Sequence, residues 1–286
     1  MSANLKRGCG ILLIASVVLL SILALLPDAD VDHDAGYTAS ELSIRETVDG
    51  SVTSTSYVNP DGVITNAIDM GYATVCRMRD DNDRVVEERY LDASGKPVAR
   101  YGDYCGLSYK YDEMSTVITY LDAEGNAIER SDGYSTIVRT QAGGRAYDDF
   151  YYDLNGQQVQ CSGGYYGIHR GYNSDGQNIS VTFLDKDGHA VSTSSGYAIK
   201  TYQRDMDGAI IGEQYFDTEG NPASSLLGQY GELYQRNEQG YVGQITYLDL
   251  DGNPAPTNAD YTILKRTYHR DGTADTDMYF DANVCI

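Results

Sequence analysis

The chain has 286 residues, and its 42 acidic side chains against 21 basic ones give a formal net charge of −21. Such a surface repels phosphate backbones and anionic lipid headgroups, which excludes nucleic-acid binding. Aromatic content is nearly all tyrosine, with 26 Tyr, 4 Phe and no Trp, the composition of a thin, tyrosine-lined core.

Residues 1–26 form the first unit. Lys6 and Arg7 precede an uncharged apolar run from Cys9 to Leu26. Eighteen helical residues span about 27 Å, close to the hydrocarbon thickness of a bilayer. Pro27 follows, then Asp28, Asp30, Asp32 and Asp34. Basic residues before the run and acidic ones after it predict one membrane-spanning helix with the remainder outside the cytoplasm. The competing expectation is a cleaved signal and a secreted product, although the run is longer than a signal core and lacks an A-x-A-like site. Cys9 precedes the apolar run, so it is not placed as a lipoprotein cysteine. Residues 27–42 read as an acidic linker.

From residue 43 to 286 the chain repeats. An aromatic–apolar–Asp/Asn triplet begins at Tyr57, Tyr90, Tyr120, Tyr151, Phe183, Tyr215, Tyr247 and Tyr279, at intervals of 30 to 33 residues. Its third position is Asn59, Asp92, Asp122, Asp153, Asp185, Asp217, Asp249 or Asp281, and Gly follows three residues later in seven of eight copies. Asp or Asn there accepts a bond from the backbone two residues on, and Gly takes the left-handed conformation without a clash. The spacing predicts a hairpin turn. A second turn series ends at Gly176, Gly208, Gly240 and Gly272, and a Gly-Tyr element lies between the two, as in Gly133-Tyr134 and Gly196-Tyr197. Tyr104, Tyr230 and Tyr261 fall within a residue of the same phase. A unit of this length cannot bury an apolar face alone, so stability must come from stacking on neighbours. The expected fold is all-β: tandem 32-residue β-hairpin repeats forming a β-solenoid or an elongated twisted sheet, with a closed seven-bladed propeller as the alternative.

Chemistry-bearing patterns are sparse. Asp185-Lys186-Asp187-Gly188 and Asp249-Leu250-Asp251-Gly252 suggest calcium, but an EF-hand loop needs a third acidic ligand before the Gly and a Glu at position twelve. Turn formation accounts for these residues. His33, His169, His189 and His269 make no spaced metal pair and accompany no recognisable nucleophile. Neither metal nor cofactor is expected, and neither is catalysis. Cys76, Cys105, Cys161 and Cys285 occupy different phases; Cys76 with Cys105 is one possible pair, and free thiols are the other reading. The best binding candidates are Tyr134, Tyr165, Tyr197 and Tyr261, which share one phase. On one face of a regular stack their rings would hold sugars, with a polysaccharide or a surface protein as partner. The bland alternative for each ring is packing between neighbouring repeats.

The pattern Y-x-D-x-x-G…G-Y-A, strongest at Tyr120–Gly125 with Gly133-Tyr134 and at Phe183–Gly188 with Gly196-Tyr197-Ala198, resembles the YD (Rhs-type) tandem repeats of bacterial surface proteins. The likeness covers residues 43–286. It implies an all-β cell-surface array, and repeats of this look occur in adhesins, wall-binding proteins and toxin shells. Two departures stand out: no toxin-like terminal domain follows, and the repeats are few for enclosing a cargo. The expected function is a membrane-anchored, extracytoplasmic, non-catalytic binding module for wall glycan or a surface partner; the alternative is a structural spacer or assembly element.

Overall fold

The computed structural model describes residues 34–281. The expected membrane helix over residues 9–26 and Cys285 lie outside that range, as does the linker up to residue 33. Among the described residues no helix is long and apolar enough to cross a membrane.

Among the described residues sixteen antiparallel strands form one open sheet in chain order, each bonded to its sequence neighbours. They pair as eight hairpins: β1 (Ser43–Asp49) with β2 (Val52–Val58), β3 (Thr74–Arg79) with β4 (Val85–Leu91), β5 (Gly106–Tyr111) with β6 (Ser115–Leu121), and β7 (Thr136–Ala142) with β8 (Arg145–Tyr152). Then follow β9 (Gly167–Tyr172) with β10 (Asn178–Leu184), β11 (Ile199–Arg204) with β12 (Ile210–Phe216), β13 (Gly231–Arg236) with β14 (Val242–Leu248), and β15 (Ile263–Tyr268) with β16 (Ala274–Phe280). An uninterrupted sheet replaces the propeller alternative, because propeller blades are separate four-stranded sheets around a channel.

The predicted turns form with the predicted chemistry. Asp185 Oδ1 accepts the backbone N–H groups of Asp187 and His189, each at 2.9 Å. Gly188 then sits at φ +84, a conformation that favours glycine. The same two bonds recur at Asp217 and Asp249. The second turn series behaves likewise, with Asp205 Oδ1 bonded to the N–H of Asp207 and Ala209.

Each turn after an even strand opens a connector that folds back over one face of the sheet. Ile128, Val159, Val191 and Ala223 of successive connectors pack against the buried cluster there. Connectors also bond to one another: Ser194 N–H to the Gly163 carbonyl, Leu226 N–H to Ser195, and Asn258 N–H to Leu227. A single-layer sheet thus gains a second layer from its own loops, which buries residues as deeply as Val181 and Ile168.

The two ends of the array meet without a β1–β16 ladder. Arg270, at the tip of the last hairpin, donates to the carbonyls of Asp34 and Gly36 at 3.0 and 3.1 Å. It also donates to both carboxylate oxygens of Glu41 at 2.7 and 2.6 Å. The sheet therefore curls until its final hairpin touches the segment that leads into its first strand.

Candidate functional site

The motif rings and the Gly-Tyr rings interleave on the connector-covered face. The row runs Tyr57, Tyr72, Tyr90, Tyr104, Tyr120, Tyr134, Tyr151, Tyr165, Phe183, Tyr197, Tyr215, with successive centroids 4.3 to 6.0 Å apart. Contacts of this geometry add about 0.5–1.5 kcal/mol each beyond area burial. Arginines cap the row from the connectors. Arg130 Cζ lies 4.6 Å from the Tyr120 ring centre, its Nη1 donates to Tyr134 Oη at 3.0 Å, and its Nε donates to Asp103 at 2.6 Å.

This row decides the fate of the tyrosines singled out by phase. Tyr134, Tyr165 and Tyr197 are only 7, 4 and 5 % exposed. Their ring faces are taken by neighbouring rings, for example Tyr134 on Tyr151 at 4.4 Å and Tyr197 on Tyr215 at 4.3 Å. They do share one face, as their phase predicted, but it is the packed face, so they offer no platform to a sugar. The physical reason is that one sheet layer has little else to bury. Tyr261 is half-buried in a separate short run with Tyr247 and Tyr279.

The gap between the two runs falls at Gln229. Thirty-two residues after Tyr197, Gln229 occupies the ring position, and the neighbouring Tyr230 lines the opposite face. The register explains what accompanies it. Opposite the motif rings across each hairpin stand Ile44, Val75, Leu107, Ile137, Ile168, Lys200, Glu232 and Leu264. Six are apolar. The two charged ones flank the gap.

Around that gap a polar network is buried beside the rings of Tyr197, Tyr215 and Tyr247. Lys200 Nζ donates to Glu213 Oε1 at 3.0 Å, and Tyr215 Oη donates to the same oxygen at 3.1 Å. Gln229 Nε2 donates to Glu232 Oε1 at 3.2 Å and Tyr234 Oη to Glu232 Oε2 at 3.0 Å. Ser225 Oγ donates to Gln229 Oε1 at 2.6 Å. Lys200, Glu213 and Glu232 are buried. Burial alone would lower the Lys200 ammonium, but the charge and hydrogen bond of Glu213 together with Tyr197 and Tyr202 outweigh it and the group is raised. Burial and the neighbouring Glu213 both raise the Glu232 carboxyl, with Lys200 opposing. The signal in the sequence is that Lys200 and Glu232 break an otherwise apolar column of the aligned repeats, a break that the tyrosine period does not carry.

On the opposite face a shallow groove of about 500 Å³ is lined by Val117, Thr119, Thr136, Val138, Tyr152 and Leu154. A smaller one of about 150 Å³ lies between Gln214, Phe216, Tyr230, Leu248 and Leu250. Gln214, Tyr230, Leu248 and Leu250 are the repeat equivalents of Thr119, Ser135, Tyr152 and Leu154, three repeats on. The two grooves are the same site in two copies. Cys76, Cys105 and Cys161 are free thiols.

No family model matches the chain, and no curated protein matches it. Among solved structures it is similar to a porin-like protein from Bacteroides uniformis ATCC 8492, at 11% sequence identity and a TM-score of 0.21, over 85% of this chain and 97% of that one. A likeness at that score carries no argument.

Proposed function

We propose that the chain is a membrane-anchored, extracytoplasmic repeat array that binds wall glycan through the grooves on the face opposite the tyrosine row, without catalysis. The observation that carries this reading is the recurrence of one groove in the same phase three repeats apart. Each copy combines aromatic or aliphatic walls with hydroxyl or amide edges, the surface a sugar ring needs. Repetition along the array would let one polysaccharide touch several grooves, and such linked contacts gain affinity without tighter individual sites. The anchor rests on the apolar run between Lys6/Arg7 and the aspartates from Asp28 onward. The resemblance to YD-type surface repeats agrees with this placement.

The test is a glycan array probed with the full chain, beside a Tyr152→Ala/Phe216→Ala double variant checked for fold by circular dichroism. Binding by the wild type that drops in the folded double variant supports the groove. Undiminished binding removes it. Glycan binding should hardly change with salt. An interaction that weakens steeply between 0.1 and 1 M salt, as the Debye length falls from about 10 to about 3 Å, would instead indicate a basic protein partner. The second reading is a structural spacer, favoured by the burial of every tyrosine from Tyr134 to Tyr197 in the row; it predicts a folded array that binds no glycan.

A further inference from the structure

Glu213 and Glu232 are direct register partners across β12 and β13. Side chains so placed stand about 4.5–5.5 Å apart at Cβ, and like charges there repel. Both are buried, and one ammonium, Lys200, serves the pair. Like the β4–β5, β8–β9, β10–β11 and β14–β15 junctions, the one they sit on is narrow: β12 and β13 share three register pairs, from Gly212↔Leu233 to Gln214↔Gly231. Within the hairpin, β11 and β12 share six. Nearby lies the break in the ring row at Gln229, so ring-on-ring contact does not bridge this junction.

We propose that the Glu213–Glu232 pair makes the β12–β13 junction a pH-sensitive joint of the array, closed while Glu232 holds its proton and loosened when that proton leaves to water. With one proton the cluster holds one carboxylate against one ammonium. Without it, two carboxylates face a single ammonium in a dry site, and the excess negative charge is relieved by admitting water between β12 and β13.

The remaining groups facing the pair do not titrate in the same range. Lys200 and Tyr202 face it from β11, Tyr215 from β12 and Tyr234 from β13. Tyr247 faces it from β14, and Tyr197 and Tyr261 from the connectors. Burial raises each of these tyrosines, so they stay neutral through neutral pH. Lys200 stays charged. The direction follows from the raised Glu232 carboxyl. A group raised on folding gives stability that is complete below its unfolded value, about 4.3 for Glu. That stability is lost as pH rises through the folded value.

The experiment uses the full-length chain. Isotope-edited infrared spectroscopy with labelled glutamate should show a buried protonated carboxylic acid above the pH at which free glutamate ionises, and its band should disappear on further alkalinisation. Amide exchange is then compared between wild type and Glu232→Gln at matched pH. Above the transition, β12 and β13 in the wild type should exchange at least about tenfold faster than in the variant, the factor one pKa unit of coupling produces. Strands β9 and β10 should be unaffected. Absence of the protonated band overturns the proposal, and this reading needs no variant to fold. A protonated band with the same exchange in both proteins at β12–β13 overturns it as well.

Discussion

Asp149, on β8, is held between two arginines, whereas Lys200, on β11, is held among two glutamates. Arg139 reaches both Asp149 oxygens at 2.7 and 2.8 Å, and Arg170 adds a bond at 2.6 Å. Burial pushes the Asp149 carboxyl up, but the bonds from Arg139 and Arg170 outweigh it and the group is held below the usual range. At the Lys200 cluster the stoichiometry is reversed, and the Glu232 carboxyl rises. The two clusters sit on the same face of the same sheet, two hairpins apart. Cation count alone turns one into a region weakened by acid and the other into a region weakened by base. The ring row is continuous past Asp149 and broken beside Glu232, so the second region also has less apolar packing to fall back on.

Removing the lone cation should produce the largest effect. Lys200→Met leaves Glu213 and Glu232 with no counter-charge, and breaking a buried pair in this way costs about 3–5 kcal/mol. Urea unfolding measures it. The triple change Lys200→Ile/Glu213→Val/Glu232→Leu restores the apolar column and should be neutral or stabilising. A triple variant as unstable as Lys200→Met would break the comparison. Next comes Asp149→Asn, which weakens charged hydrogen bonds worth about 1.5–3 kcal/mol. Its sign is set by a folded value held low. The contribution is present above the unfolded carboxylate value of about 3.9 and lost as pH falls through the folded one. Thermal melts from neutral to acid pH should show the wild type converging on Asp149→Asn; parallel curves would refute the assignment.

The period and the turn chemistry were legible in the sequence because both are local. Asp or Asn followed three residues later by Gly allows few backbone paths, and Asp185, Asp217 and Asp249 follow the expected one. The use of the tyrosines was not legible. A period says which residues form a row, not what covers the row, and the covering layer comes from connectors whose apolar residues, such as Val159 and Val191, stand singly among polar ones. Gln229 shows the same limit at one residue's resolution. Reading Tyr230 as the ring assigns it to the wrong face, since neighbouring residues in extended chain point opposite ways. The meeting of Arg270 with Glu41 depends on curvature summed over all sixteen strands, which no local pattern encodes.

A smaller effect separates the turns from either cluster. Gly220 lies at φ +83 with nothing within 4 Å of a built Cβ. Gly220→Val therefore meets backbone strain alone, about 1–2 kcal/mol. Because the turn is remote from Asp149 and Glu232, its cost should be the same at acid, neutral and alkaline pH. Chemical denaturation at three pH values checks this, and a pH-dependent cost would mean the turns and the clusters are coupled.

The smallest effect on stability, and the most informative about shape, is expected at the ends. Arg270 and Glu41 are both solvent-exposed, and exposed ion pairs contribute little. Yet Arg270 also ties down the Asp34 and Gly36 carbonyls, so it joins parts of the chain more than two hundred residues apart. Glu41 stands three residues before Ile44, where later repeats place Tyr72 before Val75 and Tyr134 before Ile137. At the start of the array the ring position is thus given to a carboxylate that reaches the last hairpin. Arg270→Ala should leave the unfolding midpoint nearly unchanged while small-angle scattering shows a larger radius of gyration, because the curl loses its clasp. An unchanged radius would mean that the twist of the strands alone holds the ends together and that the clasp merely follows.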